Sequence, residues 1–290
     1  MSYYFVRAQQ WLHSSRMFIG IDISHAGAQN LFERNTGAKV NPSVLGMAYT
    51  VGHPCRMFGT FFVQPARVAR ALYLTERVVI ALSNFKLVNN TLPKQVFVYR
   101  GGVSEGEYRI LATYEKQAFE DAFKQVYKDI PLPELVIIVV QRNSNYRIVP
   151  SNIRPGRAME QNVQPGTVID ERAMSPAYTE FLLVAHKTIQ GTARPVRCTV
   201  IVDTCSPRIP LTELERVTYA LCYTHAIVNS PVSVPGPLYS AGDLAKRGSN
   251  NLKTANLNIY TQEVDEKAIE HFYLDLSRKI DPNMLTRYWA

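Results

Sequence analysis

The chain has 290 residues, 46% of them hydrophobic and 19% charged, an ordinary balance for a globular protein able to bury a substantial core. Lys and Arg exceed Asp and Glu by 32 to 24, a net charge of +8, which favours an anionic partner such as nucleic acid. Cys55, Cys198, Cys205 and Cys222 show no C-x-x-C spacing, Arg7 interrupts the start of the chain, and no apolar run is long enough to span a bilayer. This pattern speaks against a zinc ribbon, a disulfide framework, a signal peptide and a membrane span, and it fits an intracellular protein of the cytoplasm or nucleus.

In chain order, Met17 to Asp22 is an apolar run ending in a carboxylate and predicts a buried strand. Gly46 to Val51 and Phe58 to Val63 are β-rich runs that predict a meander. From Pro65 the period changes: Ala71, Leu74, Val78, Leu82 and Phe85 fall at helical spacing, with Arg67, Arg70 and Arg77 on a second, solvated face. Gln95 to Tyr99 is strand-like again, and Tyr114 to Asp129 predicts a helix with Phe119, Ala122, Phe123 and Val126 inward. Leu135 to Val140 is continuously apolar, as suits a strand covered on both faces.

Pro150 to Pro165 reads as a loop, and Glu180 to Val184 and Cys198 to Val202 as strands. Thr212 and Glu215 form a T-x-x-E capping box ahead of Leu214, Val217 and Leu221, so a helix should begin there. Gly248 to Asn258 is polar and predicts a mobile loop, and Glu263 to Ile280 predicts a final amphipathic helix. The element order argues for a mixed α/β sheet with helices on both faces, in one domain over residues 1–290 with an N-terminal extension at 1–16.

Motifs narrow this reading. Tyr99-Arg100-Gly101-Gly102-Val103-Ser104-Glu105-Gly106 follows the apolar Val96 to Val98. Ile21-Asp22-Ile23-Ser24-His25 closes the first apolar run. Val139-Val140-Gln141-Arg142 is followed by Arg147, and Pro165 to Asp170 reads P-G-T-V-I-D. His186-Lys187-Thr188-Ile189-Gln190-Gly191-Thr192-Ala193-Arg194-Pro195, Leu221-Cys222-Tyr223-Thr224, Val234-Pro235-Gly236-Pro237-Leu238-Tyr239 and the terminal Tyr288-Trp289-Ala290 complete an ordered set. The set resembles the PIWI domain of Argonaute proteins over nearly the whole chain. Its signatures include Y-R-D-G-V-S-E-G, V-V-Q-K-R, P-P-G-T-V-V-D, I-Q-G-T-S-R-P and a terminal Y-F-A. The resemblance implies an RNase H-like fold, a central mixed sheet flanked by helices. Because the chain starts just before the first strand, it also implies no room for the N, PAZ and MID domains of a complete Argonaute.

RNase H-like cleavage needs clustered carboxylates that hold two divalent ions about 4 Å apart. By the resemblance, the four positions of that cluster fall on Asp22, Ala69, Gly101 and Gly242. Neither glycine nor alanine can ligate a cation through its side chain, so slicing, Mg²⁺ and any other cofactor are not expected. Asp243 lies beside the fourth position, and Glu105 reads as a loop carboxylate of the V-S-E-G motif. His25, His53 and His225 lack metal-site spacing. A phosphate-binding G-x-x-x-x-G-K-[ST] loop is missing.

Guide-binding positions are better kept. The resemblance assigns guide-phosphate contacts to Arg142, Arg147, His186 and Arg194, and hydroxyl donors to Ser233 and Tyr239. Arg247 and the terminal carboxylate of Ala290 fall near a guide 5′-phosphate. Arginine suits such work because its planar fork can bond two phosphate oxygens. One departure is Ile227, where the family often carries an arginine, and without a MID domain affinity for a free guide should be reduced. The resemblance therefore implies a module that binds a single-stranded small guide RNA and its complementary target RNA in RNA-mediated gene silencing, working through effector proteins without cutting. A Mg²⁺- or Mn²⁺-dependent endoribonuclease and a protein-interaction module with a vestigial RNA groove are the alternatives.

Overall fold

In the computed structural model the described residues are 12–29, 31–37, 39–152, 155–157, 160–171, 174–262, 265–281 and 288–289. Eight strands form one mixed sheet in the order β3-β2-β1-β4-β5-β8-β7-β6. They are β1 Arg16–Ser24, β2 Ser43–Val51, β3 His53–Gln64, β4 Gln95–Arg100, β5 Glu134–Gln141, β6 Thr167–Ile169, β7 Thr179–Val184 and β8 Val196–Asp203. The central β1, β4 and β5 are parallel, with Gly20 opposite Tyr99 and Tyr99 opposite Ile138. All other neighbours are antiparallel. The helices are α1 Leu31–Asn35, α2 Leu74–Asn89, α3 Tyr108–Tyr127, α4 Leu211–Leu221, α5 Gly236–Thr254 and α6 Glu266–Ile280. No helix among the described residues is long and apolar enough to cross a membrane.

Strand alternation sorts the core into two layers. Met17, Ile19 and Ile21 of β1 point to one face, where Leu74, Val78 and Leu82 of α2 and Phe119 and Phe123 of α3 cover them. On the opposite face Phe18, Phe97, Tyr99 and Ile138 meet Leu214, Val217 and Leu221 of α4 and Leu238 of α5. Farther along that face Phe61, Val63 and Val44 meet Leu244 of α5 and Tyr273 and Leu276 of α6. Helices thus cover both faces, as the sequence predicted.

Helix α5 sits unusually close to the sheet. A Cβ at Gly20 would overlap the backbone carbonyl of Pro237, and one at Gly46 would overlap the carbonyl oxygen of Ala241. These two glycines let the α5 backbone rest directly on β1 and β2.

Several expectations need correction. Residues 248–254 are not a loop but the last turns of α5. Gly248 and Leu252 are buried there, and Asn251 Nδ2 donates to the Ile280 carbonyl at 3.1 Å. The capping box of Thr212 and Glu215 does not form. Pro210, at φ −56°, is the N-cap and α4 starts at Leu211, so Glu215 lies past the first turn. Arg67, Arg70 and Arg77 do not share a helical stripe, because left-handed Tyr73 (φ 57°) precedes α2 and Arg67 is itself left-handed (φ 62°). Arg70 stacks on Tyr114 and Arg77 on Phe62, ring centroids 4.7 Å and 5.5 Å away. Helix α3 begins at Tyr108, six residues ahead of the expected start. The N-terminal extension expected at 1–16 ends inside the sheet: Arg16 opens β1 and Leu12 joins the core, while residues 1–11 lie outside the described residues.

Candidate nucleic-acid interface

Parallel β1, β4 and β5 all end at one edge of the sheet, the usual place for ligands in α/β folds. Asp22 lies near the end of β1, Gly101 follows β4 and Arg142 follows β5. Antiparallel β8 starts at that edge and β7 finishes there, which brings Arg194 and His186 to it as well. A cleft of about 730 Å³ opens there, lined by residues including Asp22, His25, Arg67, Ala69, Ser104 and Arg142.

Asp22 is an even-numbered residue of β1 and so faces α5. Its Oδ1 accepts from the Ile23 amide at 3.1 Å, and its Oδ2 accepts from the Arg142 guanidinium at 3.1 Å. The side chain is 15% exposed, and that burial raises its pKa from the usual carboxylate value, with Arg142, Arg100 and Lys246 pulling the other way. Gly101 and Gly242 both aim at this carboxylate. A Cβ at Gly101 would lie 2.8 Å from Asp22 Oδ1, and one at Gly242 would lie 3.0 Å from Oδ2 and 3.3 Å from an Arg142 nitrogen. With Ala69 on the cleft wall, the structure gathers Asp22, Ala69, Gly101 and Gly242 around one point.

The residues at that point do not fit a divalent metal pair. Asp22 is surrounded by cations rather than by carboxylates. Glu107, also on the cleft wall, is committed to the Ser104 amide and hydroxyl at 2.9 Å and 2.7 Å. Asp243 stands about 100° round the helix from Gly242. Among the described residues no group of three or more His, Cys, Asp or Glu could hold a metal ion.

The wall itself is braced from beneath, by residues the motif search did not single out. Arg100 is fully buried and pairs with Glu115 of α3, its Nε at 3.1 Å from Oε1. The same guanidinium donates to the carbonyls of Gly101 and Ala69, and Glu115 Oε1 accepts from the Ala71 amide at 2.9 Å. One buried ion pair therefore fixes two of the four positions. Glu105 is not part of the cleft chemistry. It pairs with Arg197 at 2.5 Å, and Arg197 also holds the buried Glu180 at 2.9 Å.

The remaining sequence-predicted contacts form two groups. Arg147 is exposed and donates to the carbonyls of Ser144 and Tyr146 at 2.9 Å and 2.7 Å, while Ser144 Oγ donates to the Pro195 carbonyl at 2.6 Å. Asn162 receives the Ala193 amide at 2.7 Å and donates to the Gly191 carbonyl at 2.9 Å, steadying the loop that carries exposed Arg194. His186 is half-buried, burial lowers its pKa, and its Nδ1 is enclosed with no hydrogen-bond partner. The second group follows α5. Ser233 precedes it, Tyr239 stacks on His225 at 4.3 Å, and exposed Arg247 acts electrostatically on Tyr288. Ala290 lies outside the described residues.

The family whose model matches is the Piwi domain, over residues 3–253. The chain is 34% identical over 262 residues to the Nuclear RNAi defective-3 protein of Caenorhabditis elegans, covering 88% of the chain and 24% of that protein. It is 31% identical over 242 residues to Argonaute protein wago-1 of the same organism, covering 83% and 25%. The chain spans about a quarter of the length of these relatives. The structure of Kluyveromyces polysporus Argonaute with a guide RNA aligns at TM-score 0.75 and 19% identity, over 86% of the chain and 30% of that one. The C-terminal lobe of a budding yeast Argonaute aligns at 0.74 and 18%, over 92% and 56%. At such identities the two structures speak to the fold. Motif order, family match and the eight-stranded sheet agree: this chain belongs to the Piwi-domain family of the Argonaute proteins.

Proposed function

We propose that the chain is a small-RNA-binding PIWI module of a gene-silencing protein, and that it holds its nucleic acids without cutting them. The observation that carries this reading is the contrast across one sheet edge. Where a two-metal nuclease needs several free carboxylates, Asp22 is bound to Arg142 and Glu107 is held by Ser104. Arg147 and Arg194, carried beyond β5 and ahead of β8 at that edge, and Arg247 on α5 are exposed. Such an edge can neutralise a phosphate backbone, but it lacks the ligands to activate water. The relatives carry RNAi and Argonaute in their names, and one structural neighbour was solved with a guide RNA, which supports RNA as the anion.

A filter-binding titration with single-stranded RNA tests the binding half. Affinity should fall with salt, and a double Arg147→Glu, Arg194→Glu variant should lower it at least tenfold and flatten the salt slope by about 1.4. Salt-independent binding, or an unchanged double variant, would refute RNA as the partner. For the second half, the chain is incubated with guide, matched target and Mg²⁺ or Mn²⁺. Site-specific product that disappears in Asp22→Ala would refute the non-cutting reading.

A further inference from the structure

The point where Asp22, Gly101 and Gly242 converge already contains a cation. Arg142 reaches it from the end of β5, its guanidinium 3.1 Å from Asp22 Oδ2. A side chain at Gly242 would begin 3.3 Å and 3.7 Å from the two terminal nitrogens of that guanidinium, in direct contact with both. The bare α5 surface at Gly242 is thus the wall against which Arg142 lies.

We propose that Arg142 is the resident counter-ion of this cleft, taking the place a divalent metal ion would occupy beside Asp22. The inference rests on the cleft being the degenerate counterpart of a nuclease centre, and it does not depend on whether RNA binds.

The physical case is charge balance. A carboxylate that is 15% exposed needs a partner, and an arginine supplies one without the geometric demands of an octahedral ion. Lys246, one turn beyond Gly242 on α5, adds positive potential at Asp22, as does Arg100. Bringing a divalent cation to Asp22 would set it against a guanidinium already hydrogen-bonded to that carboxylate at 3.1 Å. Adding carboxylates would not by itself remedy this. An Asp at 242 would start beside Arg142 and pair with it, completing a second ion pair instead of a metal site. An Asp at 101 would start 2.8 Å from Asp22 Oδ1, so Asp22 would have to turn, with Arg142 still attached. The barrier to metal is therefore the arginine as much as the missing acids.

The test is a Mn²⁺ titration of the whole chain, followed by the electron paramagnetic resonance signal of the free ion, with a thermal melt to verify folding. Five proteins are compared: the parent, Asp22→Ala, Gly101→Asp/Gly242→Asp, the same pair with Arg142→Ala, and Arg142→Ala alone. The parent and the double variant should show no specific site. The triple variant should bind one Mn²⁺ at least tenfold more tightly than the double variant, and Arg142→Ala alone should bind more weakly than the triple. The proposal is overturned if the parent binds Mn²⁺ at a site lost in Asp22→Ala. It is overturned equally if the double variant binds as tightly as the triple, or if a folded triple variant binds nothing. Should crowding at Gly101 prevent folding, the comparison is made between Gly242→Asp and Gly242→Asp/Arg142→Ala. There the arginine-free protein must bind Mn²⁺ at least tenfold more tightly, and equal affinity overturns the idea.

Discussion

Replacing Glu115 with glutamine keeps the side chain's shape and removes its charge. The partner, Arg100, has no solvent exposure, and Glu115 itself is 1% exposed, so water cannot compensate. The carboxylate accepts from Arg100 Nε at 3.1 Å and 3.3 Å and from the Ala71 amide at 2.9 Å. An amide can keep one oxygen acceptor but must turn an NH₂ group towards a donor. Breaking one side of a buried pair costs about 3 to 5 kcal/mol, and the retained acceptor places Glu115→Gln near the lower figure. With a urea dependence of about 3 kcal/mol per molar, the unfolding midpoint should fall by about 1 M. Far-ultraviolet circular dichroism in urea measures this. Hydrogen exchange should rise first in residues 67–72, whose carbonyl at Ala69 and amide at Ala71 the pair holds. An Arg100→Met/Glu115→Leu double variant should lose less than the sum of its single variants, because no charge is left buried. A midpoint shift under about 0.2 M for Glu115→Gln, or full additivity in the double variant, would show that the pair does not brace the cleft wall.

Two further outcomes follow from the packing and from a carboxyl pair. Gly46→Ala should destabilise by about 3 kcal/mol, read by thermal or urea unfolding, because the new Cβ meets backbone that no rotamer can move. Burial, with Asp170 alongside, raises the Glu215 pKa to about 7. The folded chain therefore keeps a proton that the unfolded chain has lost, and stability should fall as pH rises from 4.5 towards 7. Glu215→Gln should match the parent near pH 4 and exceed it by about 1 kcal/mol at pH 8, after discounting for solvent screening, as read by urea unfolding at the two pH values.

The strands were legible where burial on both faces writes itself as an unbroken apolar run, as in Leu135 to Val140. Helix boundaries were less so. Tyr73 enters the left-handed region without a glycine to announce it, so the helical spacing from Ala71 seemed to begin early. Strand β6 is three residues long and pairs only with β7, too short for alternation to register. In 248–254 the asparagines and serine suggested a loop, whereas Gly248 is buried against Phe61 and Val44. At the cleft, Gly101 and Gly242 lie against Asp22 and Ala69 lines the same wall. The ion pairs were not readable: Arg142 and Asp22 lie 120 residues apart, and nothing local to either names the other. Arg100 stood in plain view in its motif, but its fully buried guanidinium and its partner on α3 appear only once β4 and α3 are packed.

The seating of α5 on Gly20 and Gly46 has a mechanical consequence. Backbone resting on backbone has no side chains to rearrange, so the helix can neither slide nor roll without breaking the sheet contact. Tyr239, Gly242 and Arg247 are thereby graduations on a fixed ruler, with about 12 Å from the first to the last. A strand gripped at both ends of that ruler would have to adopt its span. The position of every side chain along α5 is cut into two missing methyl groups on the sheet beneath it.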